Sequence, residues 1–65
     1  MCQATVFLDG AKILEDVIQV KPTDHGVELT PLFEESQTVA AEIREIDLLK
    51  HTVHLVSSKK SGQVE

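Results

Sequence analysis

Met1-Cys2 is the one place in this chain where residue types and spacing suggest reactive chemistry. With Met1 as the chain start, a thiolate sulfur, the deprotonated Cys2 amide nitrogen and the Met1 amine can occupy adjacent positions on one metal ion. Planar nitrogen and sulfur donors suit a d⁸ ion such as nickel(II), whereas zinc prefers four tetrahedral donors. A single chain supplies two or three donors. A symmetric dimer that brings two Cys2 residues together would complete the set. The plainer reading of a lone cysteine is a small buried hydrophobe. That reading weakens at position 2, because chain ends are seldom well buried.

The histidines His25, His51 and His54 say less. His25 falls in a run of turn-forming residues and reads as solvated. His51 and His54 are three apart, which places them on opposite faces of a strand but on one face of a helix. As a strand residue, His54 lies opposite Val53 and Leu55 and therefore points outward. Its plain role is a surface imidazole; its sharper role is an auxiliary nickel ligand beside Met1 and Cys2. The sequence contains no glycine-rich phosphate loop, no paired-histidine zinc motif and no nucleophile with an assignable base. An enzymatic role is not expected, and Glu34-Glu35 reads as a solvated turn.

The elements that position these groups read as short strands. Gln3 to Leu8 alternates, with Ala4, Val6 and Leu8 on one face, and Asp9-Gly10 is a strong turn signal after it. Ile13 to Val20 forms a second extended run, with a bend at Glu15-Asp16. Lys21-Pro22-Thr23-Asp24-His25-Gly26 reads as the clearest loop. Val27 and Leu29 continue as a strand, which Pro31 marks as an edge or a break. Thr38 to Leu49 is ambiguous. Ala40, Ile43, Ile46 and Leu49 recur every three residues and could line an amphipathic helix. The alternative, preferred here, is strands with a bulge before Ile46, a turn at Leu49-Lys50-His51 and a last strand from Thr52 to Val56. Short strands every 8–12 residues favour an all-β small barrel of about five or six strands. Residues 1–57 are expected to form that single domain and residues 58–65 a polar tail.

Composition limits what else the chain can be. Its 65 residues are 42% hydrophobic and 26% charged, ordinary for a globular domain. A domain of this size buries only about 60% of the surface its unfolded chain exposes, so self-association or a metal would help it. Eleven acids against six scattered bases, and two phenylalanines as the only aromatics, argue against nucleic-acid binding. No apolar run approaches the roughly 18–20 residues that span a bilayer. Neither a signal peptide nor an internal disulfide is expected, which makes the cytoplasm the expected compartment.

Taken together, Met1-Cys2-Gln3-Ala4-Thr5-Val6, Glu15-Asp16-Val17, Thr30-Pro31-Leu32-Phe33-Glu34-Glu35 and Glu45-Ile46-Asp47-Leu48-Leu49-Lys50-His51 running into Val53-His54-Leu55 resemble the CooT-type nickel-binding proteins. Many relatives in that family carry the label of predicted RNA-binding protein. The resemblance implies a small SH3-like barrel and a cytoplasmic homodimer with Ni(II) held on the cysteine, here Cys2. It also implies a role in nickel supply to carbon monoxide dehydrogenase or its maturation factors. A second resemblance is to the HypC/HupF hydrogenase-maturation chaperones, which also begin Met-Cys. Those proteins usually continue into a Pro-Gly pair, where this chain has Val6-Phe7. A third reading is a small-barrel adaptor or RNA-associated protein without metal.

Overall fold

The structure is a computed structural model that describes residues 3–57. Met1, Cys2 and the expected tail at 58–65 lie outside the described residues. Six strands follow one another: β1 (Ala4–Leu8), β2 (Ala11–Thr23), β3 (Gly26–Pro31), β4 (Gln37–Val39), β5 (Ala41–Asp47) and β6 (Thr52–Ser57). They form one sheet in the order β4-β3-β2-β1-β6-β5. Every pairing is antiparallel except β1 with β6. The sheet curls until β5 meets β3, which gives the small all-β barrel that the turn spacing predicts.

Turn chemistry sets the hairpins. Asp9 and Gly10 both have positive φ (52° and 88°), as a two-residue turn matched to strand twist requires. Asp9 Oδ1 also accepts from the Ser57 N–H at 3.2 Å, which ties the first turn to the end of β6. Gly26 closes the β2–β3 hairpin at φ 142°, and a Cβ there would stand 2.0 Å from the Val39 carbonyl oxygen. Only glycine lets β4 approach so closely.

The expected loop at Lys21 to Gly26 is corrected by this hairpin. Lys21, Pro22 and Thr23 belong to β2, and only Asp24-His25 turns. Proline is tolerated because Pro22 faces Val27 in the pair next to the hydrogen-bonded Thr23–Gly26 pair, so its missing N–H is not needed by β3. On its other side β1 pairs no further along β2 than Val17. In Thr38 to Leu49 the strands prevail over the helix. An extra residue, Arg44, separates the Ile43–Leu55 pair from the Glu45–His54 pair, a bulge just before Ile46.

The core is aliphatic. Val6, Val17, Val27, Leu29, Ala41, Val53 and Leu55 are buried, drawn from five of the six strands. Each of these residues contributes about 1–3 kcal/mol by burial. Seven such side chains make a small core, and several large apolar side chains remain outside it.

Candidate functional site

One end of the barrel is left open. Ala4 pairs with Val17, and Ile46 with Val53. Residues opposed across a strand pair share a face, so all four look toward the interior. Beyond them closure fails, and a groove of about 200 Å³ remains, with Gln3, Ile18, Val20, Ile46, Leu48 and His51 in its walls.

Local irregularities bring the apolar residues there. Val17 pairs with Pro31 and Gln19 with Thr30, so Ile18 is an extra residue that the β2–β3 ladder cannot accommodate. Leu48 sits in the β5–β6 turn, where Asp47 Oδ1 accepts from the Lys50 N–H at 3.0 Å. His51 follows with φ 58°. Ile18, Ile46 and Leu48 are 47%, 50% and 79% exposed. These three side chains put exposed aliphatic surface along the groove. Among the described residues, the titratable ones in its lining are Asp47 and His51.

The groove adjoins the N-terminal segment. Gln3 and Ala4 line it, and the Thr5 N–H donates to the His51 carbonyl at 2.9 Å. That bond fixes the backbone after Met1-Cys2 against the β5–β6 turn. Met1 and Cys2 themselves lie outside the described residues. Among the described residues no group of three or more histidine, cysteine, aspartate or glutamate side chains could hold a metal ion.

His54 does face away from the core, between buried Val53 and Leu55, as its strand position predicts. It is not a free surface imidazole. Its ring stacks on Phe7, with centroids 5.1 Å apart and planes at 17°, across the parallel β1–β6 pair. The imidazole in the groove is His51, which sequence reasoning passed over together with Ile18 and Leu48. The Leu48-Leu49 pair was the available signal, because two leucines sit where a hairpin turn calls for polar residues.

A second depression lies at the other side of the β2 bulge. Asp16 has φ 56°, and its carbonyl accepts from the Leu32 N–H at 2.8 Å, which holds the segment after β3 in place. The depression is about 180 Å³ and is lined by Leu14, Glu15, Asp16, Pro31, Phe33 and Glu34. The Lys12 ammonium pairs with Glu15. Its hydrogen bond, and then its charge, hold the Glu15 carboxyl below the usual carboxylate range.

The model of the CooT family, described as CO dehydrogenase accessory protein, matches residues 1–56. The chain belongs to the CooT family. Its fold is similar to the crystal structure of a candidate CooT from Carboxydothermus hydrogenoformans, with a TM-score of 0.79 and 26% identity. That likeness covers 88% of this chain and 98% of the other. No curated protein matches. CooT membership settles the choice between the two resemblances in the sequence, and the hydrogenase-maturation alternative is not retained. It also makes the chain one of a family of accessory proteins. No helix among the described residues is long and apolar enough to cross a membrane.

Proposed function

We infer that this chain is a nickel metallochaperone that binds Ni(II) through Cys2 where two copies meet, and that it supplies the metal to carbon monoxide dehydrogenase. The observation that carries the reading is the position of the groove. An opening in the barrel wall lies beside Gln3 and Ala4, the residues that follow Met1-Cys2, and Ile18, Ile46 and Leu48 are exposed along it. A second copy seated there would cover Ile18, Ile46 and Leu48 and bring two N-terminal segments together.

Chemistry supports the same arrangement. Among the described residues no three-donor cluster is formed, and in this reading the metal draws on Cys2 and its neighbouring nitrogens, the Met1 amine among them. Two copies raise the donors to four or more, at about one ion per dimer. His54 is the auxiliary imidazole of this reading, yet its stack on Phe7 gives it other work, so its removal should weaken nickel binding little or not at all. The cytoplasm suits the role, since its reducing conditions keep a single thiol free.

A free thiol titrates near a pKa of about 8.5, so at neutral pH nickel must displace its proton. Protons and metal therefore compete for sulfur. Equilibrium dialysis of Ni(II) against the chain between pH 8.5 and pH 6 should give an affinity that falls steadily with pH. A flat profile would remove the thiolate from the site and this reading with it.

A further inference from the structure

The corner at Phe33 is left uncovered by the described residues. Phe33 is 81% exposed, although it is one of only two phenylalanines in a chain whose buried core is aliphatic. The other ring, Phe7, is packed on His54. The backbone leading to Phe33 is anchored. Pro31 is anchored in β3 opposite Val17, and the Leu32 N–H is bonded to Asp16. Phe33 follows that anchored backbone directly.

Its surroundings define what would fit. Leu14 and Pro31 form an apolar floor, and Glu15, Asp16 and Glu34 stand around it. Lys12 is the cation that the structure places with these carboxylates, and Glu15 holds it. The described barrel carries ten acids (Asp9, Glu15, Asp16, Asp24, Glu28, Glu34, Glu35, Glu42, Glu45, Asp47) against four bases (Lys12, Lys21, Arg44, Lys50). An anionic rim around an exposed aromatic face calls for a cation that can use both. Arginine meets that description: its flat guanidinium stacks on an aromatic ring while its edge pairs with carboxylates. Lysine can satisfy the charge but stacks less well.

We propose that the Phe33 corner docks an arginine-bearing basic segment of the client enzyme. Among the described residues, the corner shares no lining residue with the groove beside Gln3. Client docking and self-association thus use separate surfaces, and one copy of the dimer can engage the client while the groove stays closed. The proposal rests on the accessory role only for its choice of client.

The chain has no tryptophan, so Phe33→Trp supplies a single fluorescent reporter at the corner. Titration of that variant with a tetra-arginine peptide should shift the indole emission. Tetra-lysine should bind at least threefold more weakly, and salt should weaken both. With purified apo carbon monoxide dehydrogenase, Phe33→Ser and the double variant Glu15→Lys, Glu34→Lys should each bind at least tenfold more weakly than the parent chain. The groove variant Ile46→Asp should bind the enzyme as the parent does, and nickel binding should be unchanged in the corner variants. Failure of tetra-arginine to bind, or equal enzyme affinity across the corner variants, would overturn the proposal whatever the fate of the nickel reading. Loss of self-association in Phe33→Ser would assign the corner to a second copy instead. An emission change on removing residues 58–65 would assign it to the chain's own Lys59 and Lys60.

Discussion

The groove beside Gln3 and the corner at Phe33 both arise from irregularities in β2, yet they differ in kind. At the groove the extra residue is Ile18, and the walls are aliphatic with few charges. At the corner the irregular residue is Asp16, and an aromatic ring stands among carboxylates. An aliphatic surface gains by removal from water and tolerates many geometries, which suits a like surface on a second copy. A charged rim around a ring rewards complementary charge and fixes orientation, which suits a different partner. One strand therefore offers two surfaces, because each irregularity turns a different class of residue outward.

The largest effect should come from beneath both surfaces. Leu29 is fully buried among the core strands, and Leu29→Ala should cost about 2–5 kcal/mol. A chain of this size has roughly 3–10 kcal/mol of total stability, so thermal melting should show a transition lowered by many degrees or lost. Groove and corner should fail together in that variant. If either kept its binding, the two would not share one core.

Next in size is the groove alone. Ile46→Asp removes a half-buried aliphatic residue and puts a charge where a second copy would close. Sedimentation equilibrium should give a dimer dissociation constant raised at least tenfold, from about 1.4 kcal/mol or more of lost burial. Phe33→Ser should leave that constant within a factor of about two, as expected for a residue outside the interface. If Phe33→Ser dissociated the dimer and Ile46→Asp did not, the two surfaces would have to exchange roles.

The smallest effect concerns the ion pair at the corner. Lys12 depresses the Glu15 carboxyl, so the stabilising contribution is present above that carboxyl's ordinary value and is lost as pH falls through the lowered one. Both side chains are exposed and screened. Lys12→Ala should hardly alter the melting temperature at neutral pH, and the difference from the parent should shrink as the solution is acidified. A large loss would mean that the corner stabilises the barrel rather than merely decorating it.

The barrel was largely legible in the chain because period-two alternation survives wherever the ladders are regular. Val27 and Leu29 alternate with Glu28 and Thr30 along β3, and their burial follows that pattern. The Asp9-Gly10 turn was equally plain. The misreading at Lys21–Thr23 came from turn-forming residues that pair normally because the ladder does not need the Pro22 nitrogen. The helical spacing of Ala40, Ile43, Ile46 and Leu49 is produced by the Arg44 bulge and by a leucine in a turn, neither of which periodicity can express. The groove was illegible for another reason. Its walls come from residues 3–4, 17–20 and 46–53, joined only when β1 lies parallel to β6. No local pattern announces that closure, so His51 looked like one more turn residue. The Phe33 corner is not legible in the sequence: Glu34-Glu35 reads only as a solvated turn, and the bond from Leu32 to Asp16 beside the ring is long-range.

The central claim, nickel held by Cys2 between two copies, is tested most directly by titrating Ni(II) into the parent chain and Cys2→Ala while following absorbance and stoichiometry. The account predicts thiolate-to-nickel bands that saturate at about one ion per dimer in the parent, as a shared two-fold site requires. It also predicts their loss in Cys2→Ala, with the fold and melting temperature nearly unchanged. Nickel bound as tightly by Cys2→Ala as by the parent would contradict it.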